Sequence, residues 1–238
     1  MLQDLNICDV LFLDIETVPQ FERFEDLPDE SKKLWEEKSR YIRERRQVSI
    51  TESYDDAGIY AEFGKIVCVS VGYFPDERTD LRLKSFYGHD ERDILKRFCE
   101  MLQEYHHKPF RLLCAHNGKE FDFPYLCRRM LVNGIRLPEL LNIAGKKPWE
   151  IPHLDTMELW KFGDYKHYTS LRLLASIFGI PSPKDDIEGS EVRGVYYTAG
   201  DLDRIERYCR KDVATVAMLI QAYRGKTEFR STETASLN

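Results

Sequence analysis

The stretch that most constrains this chain is Val10-Leu11-Phe12-Leu13-Asp14-Ile15-Glu16-Thr17, an apolar run that ends in two carboxylates. A run this short and this apolar reads as a buried strand over residues 8–16. Strand alternation sends positions i and i+2 to one face, so Asp14 and Glu16 point the same way. A charge pair adjoining a buried strand is costly unless it serves something. Taken alone, however, a DxE at a strand end is accounted for more readily as a solvated terminus.

Beyond this strand, stopped by Val18-Pro19, the pattern alternates between helix and strand periodicity. Residues 28–46 read as a charged helix with Pro28 in its first turn and a partial apolar face of Leu34, Trp35, Tyr41 and Ile42. Residues 47–63 read as polar and irregular. Lys65–Phe74 and Leu81–Tyr87 read as a hairpin with a longer loop. Asp90–Tyr105 follows as an amphipathic helix, Phe110–Ala115 as a strand, and Phe121–Val132 as a helix stopped by Asn133-Gly134. Residues 153–157 read as a short strand or a helix start, Ser170–Phe178 as a helix, and 181–200 as a loop. Asp201–Tyr223 is a long last helix capped by Gly200 or Asp201, and the tail from Lys226 is polar and frayed. The order predicts an α/β fold: a mixed sheet, part antiparallel meander and part parallel, with helices on its faces. It also predicts one domain over residues 1–225, with 18–64 as an insertion and 226–238 as a flexible tail.

Composition removes several functional classes. The 238 residues suffice for one domain with a sizeable core, and 42% hydrophobic with 32% charged is ordinary for a soluble globular protein. No apolar run reaches the length of a membrane span, and the N-terminus lacks the basic-then-apolar pattern of a secretory signal. The expectation is a cytoplasmic protein with no membrane partner. Six scattered cysteines without a CxxC pair read as buried reduced thiols. A net charge of −6 argues against coating nucleic acid by bulk electrostatics, though not against gripping a short stretch of strand. Neither GxxxxGK[ST] nor GxGxxG occurs, so a nucleotide-cofactor enzyme has no support.

Two further sites carry chemistry-bearing residues. Asp122 follows a strand and opens a helix, where the helix dipole favours negative charge. Asn117 is either a turn residue or a hydrogen-bond partner of the carboxylates, and Phe121 is either core or a surface for a stacked base. Tyr208 and Asp212, four residues apart, share a face of the last helix. At about 100° per residue, Asp212 lies roughly 60° and Tyr208 roughly 100° from the middle of the apolar stripe, so both flank the core.

In conjunction these residues resemble the DEDD superfamily of 3′–5′ exonucleases, which have a ribonuclease H-like fold. DxE matches Asp14-Ile15-Glu16; asparagine followed by Phe/Tyr-Asp matches Asn117 and Phe121-Asp122; YxxxD matches Tyr208 and Asp212. The histidine branch would place His where Arg207 stands, so the tyrosine branch is indicated. The finer resemblance is to stand-alone bacterial proteins related to the exonuclease domain of family B DNA polymerases. It is carried by Asp14–Pro19, Glu62–Val67, His116-Asn117-Gly118, His153-Leu154-Asp155 and Glu188–Val192.

The resemblance implies a catalytic set of Asp14, Glu16, Asp122, Tyr208 and Asp212, with the four carboxylates as metal ligands. Carboxylates brought together repel unless a cation fills the cluster, and oxygen-only ligands favour Mg²⁺ or Mn²⁺. Two such ions form the usual machinery for cutting phosphodiesters. The implied partner is nucleic acid at single-stranded 3′ ends, with DNA favoured over RNA, and the implied products are nucleoside 5′-monophosphates. The alternatives are an enzyme trimming RNA 3′ ends and, in another class, a catalytically silent nucleic-acid-binding module.

Weaker signals stay open. Asp155 reads as the cap of a helix starting at Thr156, with an auxiliary carboxylate near the site as the alternative. Lys184 and Ser190 are candidate phosphate contacts in a polar loop. Arg43, Arg45 and Arg46 read as a solvated charged helix, with a guide for single-stranded substrate as the alternative.

Overall fold

The computed structural model describes residues 2–76, 80–104, 110–164, 168–181 and 187–226. Five strands form one mixed sheet: β1 (Val10–Pro19), β2 (Gly64–Tyr73), β3 (Arg82–Tyr87), β4 (Leu112–Ala115) and β5 (Leu154–Asp155), in the order β3-β2-β1-β4-β5. β1 pairs antiparallel with β2, and β2 with β3; β1 pairs parallel with β4, and β4 with β5. This is the predicted mixed sheet. The apolar run ends up at its centre because its side chains are apolar on both faces.

Alternation along β1 divides the core. Leu11, Leu13 and Ile15 pack with Ile66, Val69 and Val71 beneath α3 (Glu91–Glu104) and α4 (Asp122–Val132), which contribute Ile94, Leu95, Phe98, Phe123, Leu126 and Met130. Burying each such side chain contributes roughly 1.5–3 kcal/mol. On the opposite face, Val10 and Phe12 meet Val213, Val216, Ala217 and Ile220 of α8 (Leu202–Tyr223). Farther along, Val18, Val67 and Cys68 meet Ile205 and Cys209. A bulge opposite Glu16/Thr17 gives β2 one extra residue, which puts the consecutive Val67 and Cys68 on the same face. At Gly72 a Cβ would lie 2.9 Å from Val213 Cγ1, so the bare backbone there lets α8 settle closely on β2. Ser170 caps α6 (Leu171–Ile177), which packs Leu174 against Leu219 of α8, and Asp201 caps α8 itself, its side chain accepting from the Arg204 N–H at 3.0 Å.

Three stretches differ from the sequence expectation. β1 runs on to Pro19 and does not stop at Val18, because its far end pairs only with β2 and a missing N–H costs little there. The segment 20–63 then connects β1 to β2. Within it, 47–63 is not irregular: Ser49 and Glu52 form a capping box that starts α2 (Ile50–Tyr54), followed by a 3₁₀ turn, Asp55–Ile59. Together with α1 (Asp29–Arg46), these elements bury Trp35 among Leu27, Tyr54 and Phe63. Finally, the described part of the 181–200 loop contains a 3₁₀ turn at Gly189–Glu191, α7 (Val192–Gly194) and a π turn at Val195–Ala199. Val192, Val195 and Tyr196 anchor it to the α8 face, a pattern too short to show periodicity.

A buried ion pair ties the helical face together. Arg129 of α4 donates to Glu91 of α3 through Nε at 2.9 Å and Nη2 at 2.6 Å, and through Nη1 to the Ala61 carbonyl at 2.8 Å. Glu91 also accepts from Ile66 N–H at 2.7 Å and Asn133 Nδ2 at 2.9 Å. All six cysteines are free thiols, and none of the described helices is long and apolar enough to cross a membrane.

Candidate active site

Three elements deliver the candidate residues. β1 continues its α8-facing row from Val10 and Phe12 into Asp14 and Glu16. β4 accompanies β1 only from Val10 to Phe12, so beyond that point the β1 edge on this side is unpaired. Asp122, in the first turn of α4, fills the gap: its Oδ1 accepts from the Ile15 N–H at 3.2 Å. Its carboxyl is thereby drawn to the backbone between Asp14 and Glu16, and the residue is only 3% exposed. From the other side, α8 brings Tyr208 and Asp212, with the phenol hydrogen-bonded to the Asp212 carboxylate. Cys209, between them, donates its thiol hydrogen to the Asp14 carbonyl at 3.4 Å.

The electrostatics of this grouping are unfavourable by themselves. Burial and then the charges of Glu16, Asp212 and Asp122 push the Asp14 carboxyl well above the usual carboxylate range. Burial and the neighbouring Asp212, Cys68 and Asp122 push Glu16 up likewise. Asp122 is pushed up to about 7, chiefly by burial and further by Asp155 and Asp212, although hydrogen bonds from its own N–H and that of Ile15 oppose the shift. The Tyr208 phenol is raised far above its ordinary range by burial and by Asp212, Glu16 and Asp14, so it stays protonated.

The residues fit a divalent cation. Asp14 Oδ2 is buried and has no hydrogen-bond partner. Asp14, Glu16 and Cys209 each offer a ligand atom within 4.8 Å of one another. The carboxylate donors suit Mg²⁺ or Mn²⁺. Cys209 went unrecognised in the sequence because it sits on the apolar stripe of its helix. Its position next to Tyr208 is the signal that could have placed it at the site.

The proposed substrate-binding residues are less unified. Asn117 is a turn residue with φ 62°, and its N–H donates to Asp155 Oδ1 at 3.0 Å. Phe121 is half-buried, packed against the sheet core with its ring tilted against Tyr125 at 5.3 Å. Ser190 is exposed in its 3₁₀ turn, and Lys184 lies outside the described residues. Asp155 caps α5 (Thr156–Lys161) as the sequence suggested, accepting from Met157 N–H at 2.9 Å and Glu158 N–H at 3.2 Å. Arg46 pairs with Asp56, and Arg43 bonds Ser39 Oγ and the Glu36 carbonyl, so both are engaged by residues of the 20–63 segment.

Residues 59–235 match the model of a family described as predicted 3′–5′ exonucleases related to the exonuclease domain of PolB. The chain belongs to this family. The matched region contains Asp122, Tyr208 and Asp212, while Asp14 and Glu16 precede it. Among curated proteins, a DNA polymerase of Pyrococcus glycovorans is 25% identical over 135 residues, which is 51% of this chain and 17% of the polymerase. A DNA polymerase of Pyrococcus horikoshii is 26% identical over 171 residues, 63% of this chain and 13% of the polymerase. This exonuclease-family chain thus spans under a fifth of these two polymerases. The structure of the family B DNA polymerase from Pyrobaculum calidifontis resembles it with a TM-score of 0.56 at 17% identity, covering 90% of this chain and 24% of the polymerase. That likeness establishes a shared fold.

Proposed function

We propose that this protein is a metal-dependent 3′–5′ exonuclease that hydrolyses phosphodiesters at single-stranded DNA 3′ ends and releases nucleoside 5′-monophosphates. Residues 1–225 are its exonuclease domain. The observation that carries the reading is Asp14 Oδ2, a buried carboxylate oxygen without a partner, set among Glu16, Asp122 and Asp212. An oxygen in that situation is stabilised by a cation.

Asp14, Glu16, Asp122 and Asp212 would hold the divalent cations. Bound divalent cations supply an activated water near neutral pH and stabilise charge on the attacking and leaving oxygens. Tyr208 orients the attacking water with its phenol. A phenol held protonated well above its reference pKa of about 10 does not act as a general base.

Tyr208→Phe is therefore expected to lower turnover roughly 10²-fold through a misplaced nucleophile while leaving Mn²⁺ binding near the wild-type value. Single-turnover kinetics and Mn²⁺ titration separate the two effects, and weaker metal binding at normal turnover would contradict the role.

The reading as a whole is tested by a gel time course on 5′-labelled single-stranded DNA and RNA of one sequence, with Mg²⁺, Mn²⁺ or EDTA. A metal-dependent ladder that shortens from the 3′ end, faster on DNA, is expected. Faster digestion of RNA would replace the substrate class, and no cleavage with either metal would reject the enzyme.

A further inference from the structure

We propose that Asp155 is a positioning residue for this site: its carboxylate holds the turn 117–121 and, through that turn, fixes where Asp122 stands. The inference rests on the reading of Asp122 as a metal-holding carboxylate.

Capping α5 requires one side-chain oxygen that accepts from the second or third helical N–H. Asp155 Oδ1 does this with Met157 and Glu158. The same carboxylate also reaches across to the exit of the neighbouring strand. Oδ1 accepts from Asn117 N–H at 3.0 Å and Oδ2 from Lys119 N–H at 3.1 Å, two bonds that the cap does not need. Parallel pairing of Ala115 with Asp155 brings the carboxylate alongside this turn. The residue is 3% exposed, so these charge-assisted bonds are shielded from water.

The turn depends on such a hold. Asn117 has φ 62°, in the left-handed region that asparagine tolerates better than other non-glycine residues, so the chain turns sharply here. Gly118 has no space for a side chain, since a Cβ would sit 2.4 Å from Ala115 Cβ. The turn closes on itself through the Glu120 and Phe121 N–H groups, which donate to the Asn117 carbonyl at 3.2 and 3.0 Å. Phe121, at the N-cap of α4, provides no side-chain cap, so that helix start has no such anchor of its own. Lys119 Nζ adds a second tie to α5 through Glu158 at 2.6 Å. Asp122 comes directly after this turn, and its bond to Ile15 N–H requires that the turn deliver it to the β1 edge.

Two variants remove the turn bonds in steps. Asp155→Ser keeps an oxygen for the α5 cap but is too short to span to the turn. Asp155→Asn keeps one acceptor oxygen and loses the Lys119 bond. Three quantities are measured on the full chain: kcat and KM on a labelled single strand, Mn²⁺ affinity by electron paramagnetic resonance without substrate, and amide hydrogen exchange over 117–125 and 156–161.

In Asp155→Ser, kcat and Mn²⁺ affinity should each fall roughly 10- to 100-fold. KM for the strand should stay within about twofold, a selectivity that a positioning error produces and general loosening does not. Exchange should quicken in 117–125 but not in 156–161. Asp155→Asn should fall between Asp155→Ser and wild type. Wild-type kcat, Mn²⁺ affinity and exchange in a folded Asp155→Ser protein would overturn the inference. If that variant does not fold, wild-type values in Asp155→Asn would do the same. A wild-type protein that binds no Mn²⁺ would instead sink the proposed function, and the exchange pattern would still decide whether Asp155 holds the turn.

Discussion

Asp14→Asn is expected to abolish metal-dependent cleavage, at least 10³-fold by order of magnitude, and at the same time to make the metal-free protein more thermostable at pH 8. The two effects share a cause. Asp14 is surrounded by Glu16, Asp212 and Asp122, and its Oδ2 lacks a partner. Ionised and without a cation, it costs folding energy. An amide of the same shape removes that charge and offers hydrogens to its neighbours.

The sign of the pH dependence follows from the raised carboxyl groups. Each binds its proton more tightly folded than unfolded, so its contribution to stability is complete below the unfolded pKa and lost as pH rises through the folded one. For Asp122 the window runs from about 3.9 in the unfolded chain to about 7 in the folded one. The metal-free wild type should therefore be more stable at pH 5 than at pH 8 as far as this cluster is concerned, and the Asp14→Asn gain should be larger at pH 8. Mn²⁺ at 100 times its Kd adds about 2.7 kcal/mol, or roughly 5–10 °C in Tm for a chain of this size, to the wild type alone. Thermal melts with EDTA or Mn²⁺ at the two pH values check this. A variant less stable than wild type in EDTA at pH 8 would mean that Asp14 serves the fold, not a metal.

Arg129→Ala carries the largest expected loss of stability. It would strand the Glu91 carboxylate, 8% exposed, without its cation, and would leave the Ala61 carbonyl without its donor. Breaking a buried pair from one side costs about 3–5 kcal/mol, which corresponds to a Tm lower by roughly 6–20 °C at this size. The double variant Arg129→Met with Glu91→Leu should recover much of the loss, because replacing both ions by apolar groups leaves no stranded charge. Urea titration of the two variants checks the prediction, and equal stability of both would contradict it.

The two predictions differ in how legible their residues were. Asp14 and Glu16 could be placed from sequence because a period-two strand fixes their common face. Tyr208 and Asp212 could be placed because four residues make a helical turn. The mixed sheet, part antiparallel meander and part parallel, followed from strand and helix periodicity in the long segments; its strand order did not. Arg129 and Glu91 gave no such signal: two charged residues on amphipathic helices look like any solvated pair until α3 and α4 pack against each other. The same holds for Asp155, whose cap was readable from its place before Thr156, whereas its bonds to Asn117 and Lys119 depend on the parallel register of β4 and β5. The short α2 was hidden because five residues carry too little periodicity; only its capping box announced it.

β1 has an antiparallel neighbour on one side and a parallel neighbour on the other, and it outruns β4 by several residues. Where two adjacent parallel strands end at different heights and their chains leave in different directions, a sheet parts and forms a crevice. Here the β1 exit turns into the 20–63 segment three residues past Glu16, and the β4 exit turns into the tight loop that leads to Asp122. Asp14, Glu16 and Asp122 stand at that parting, whereas Trp35, Tyr54 and Phe63 pack on one another in a cluster of their own. The carboxylates and the aromatic cluster around Trp35 are thus held by different contacts, so a substitution that loosens the Trp35 packing acts first on that cluster's own stability.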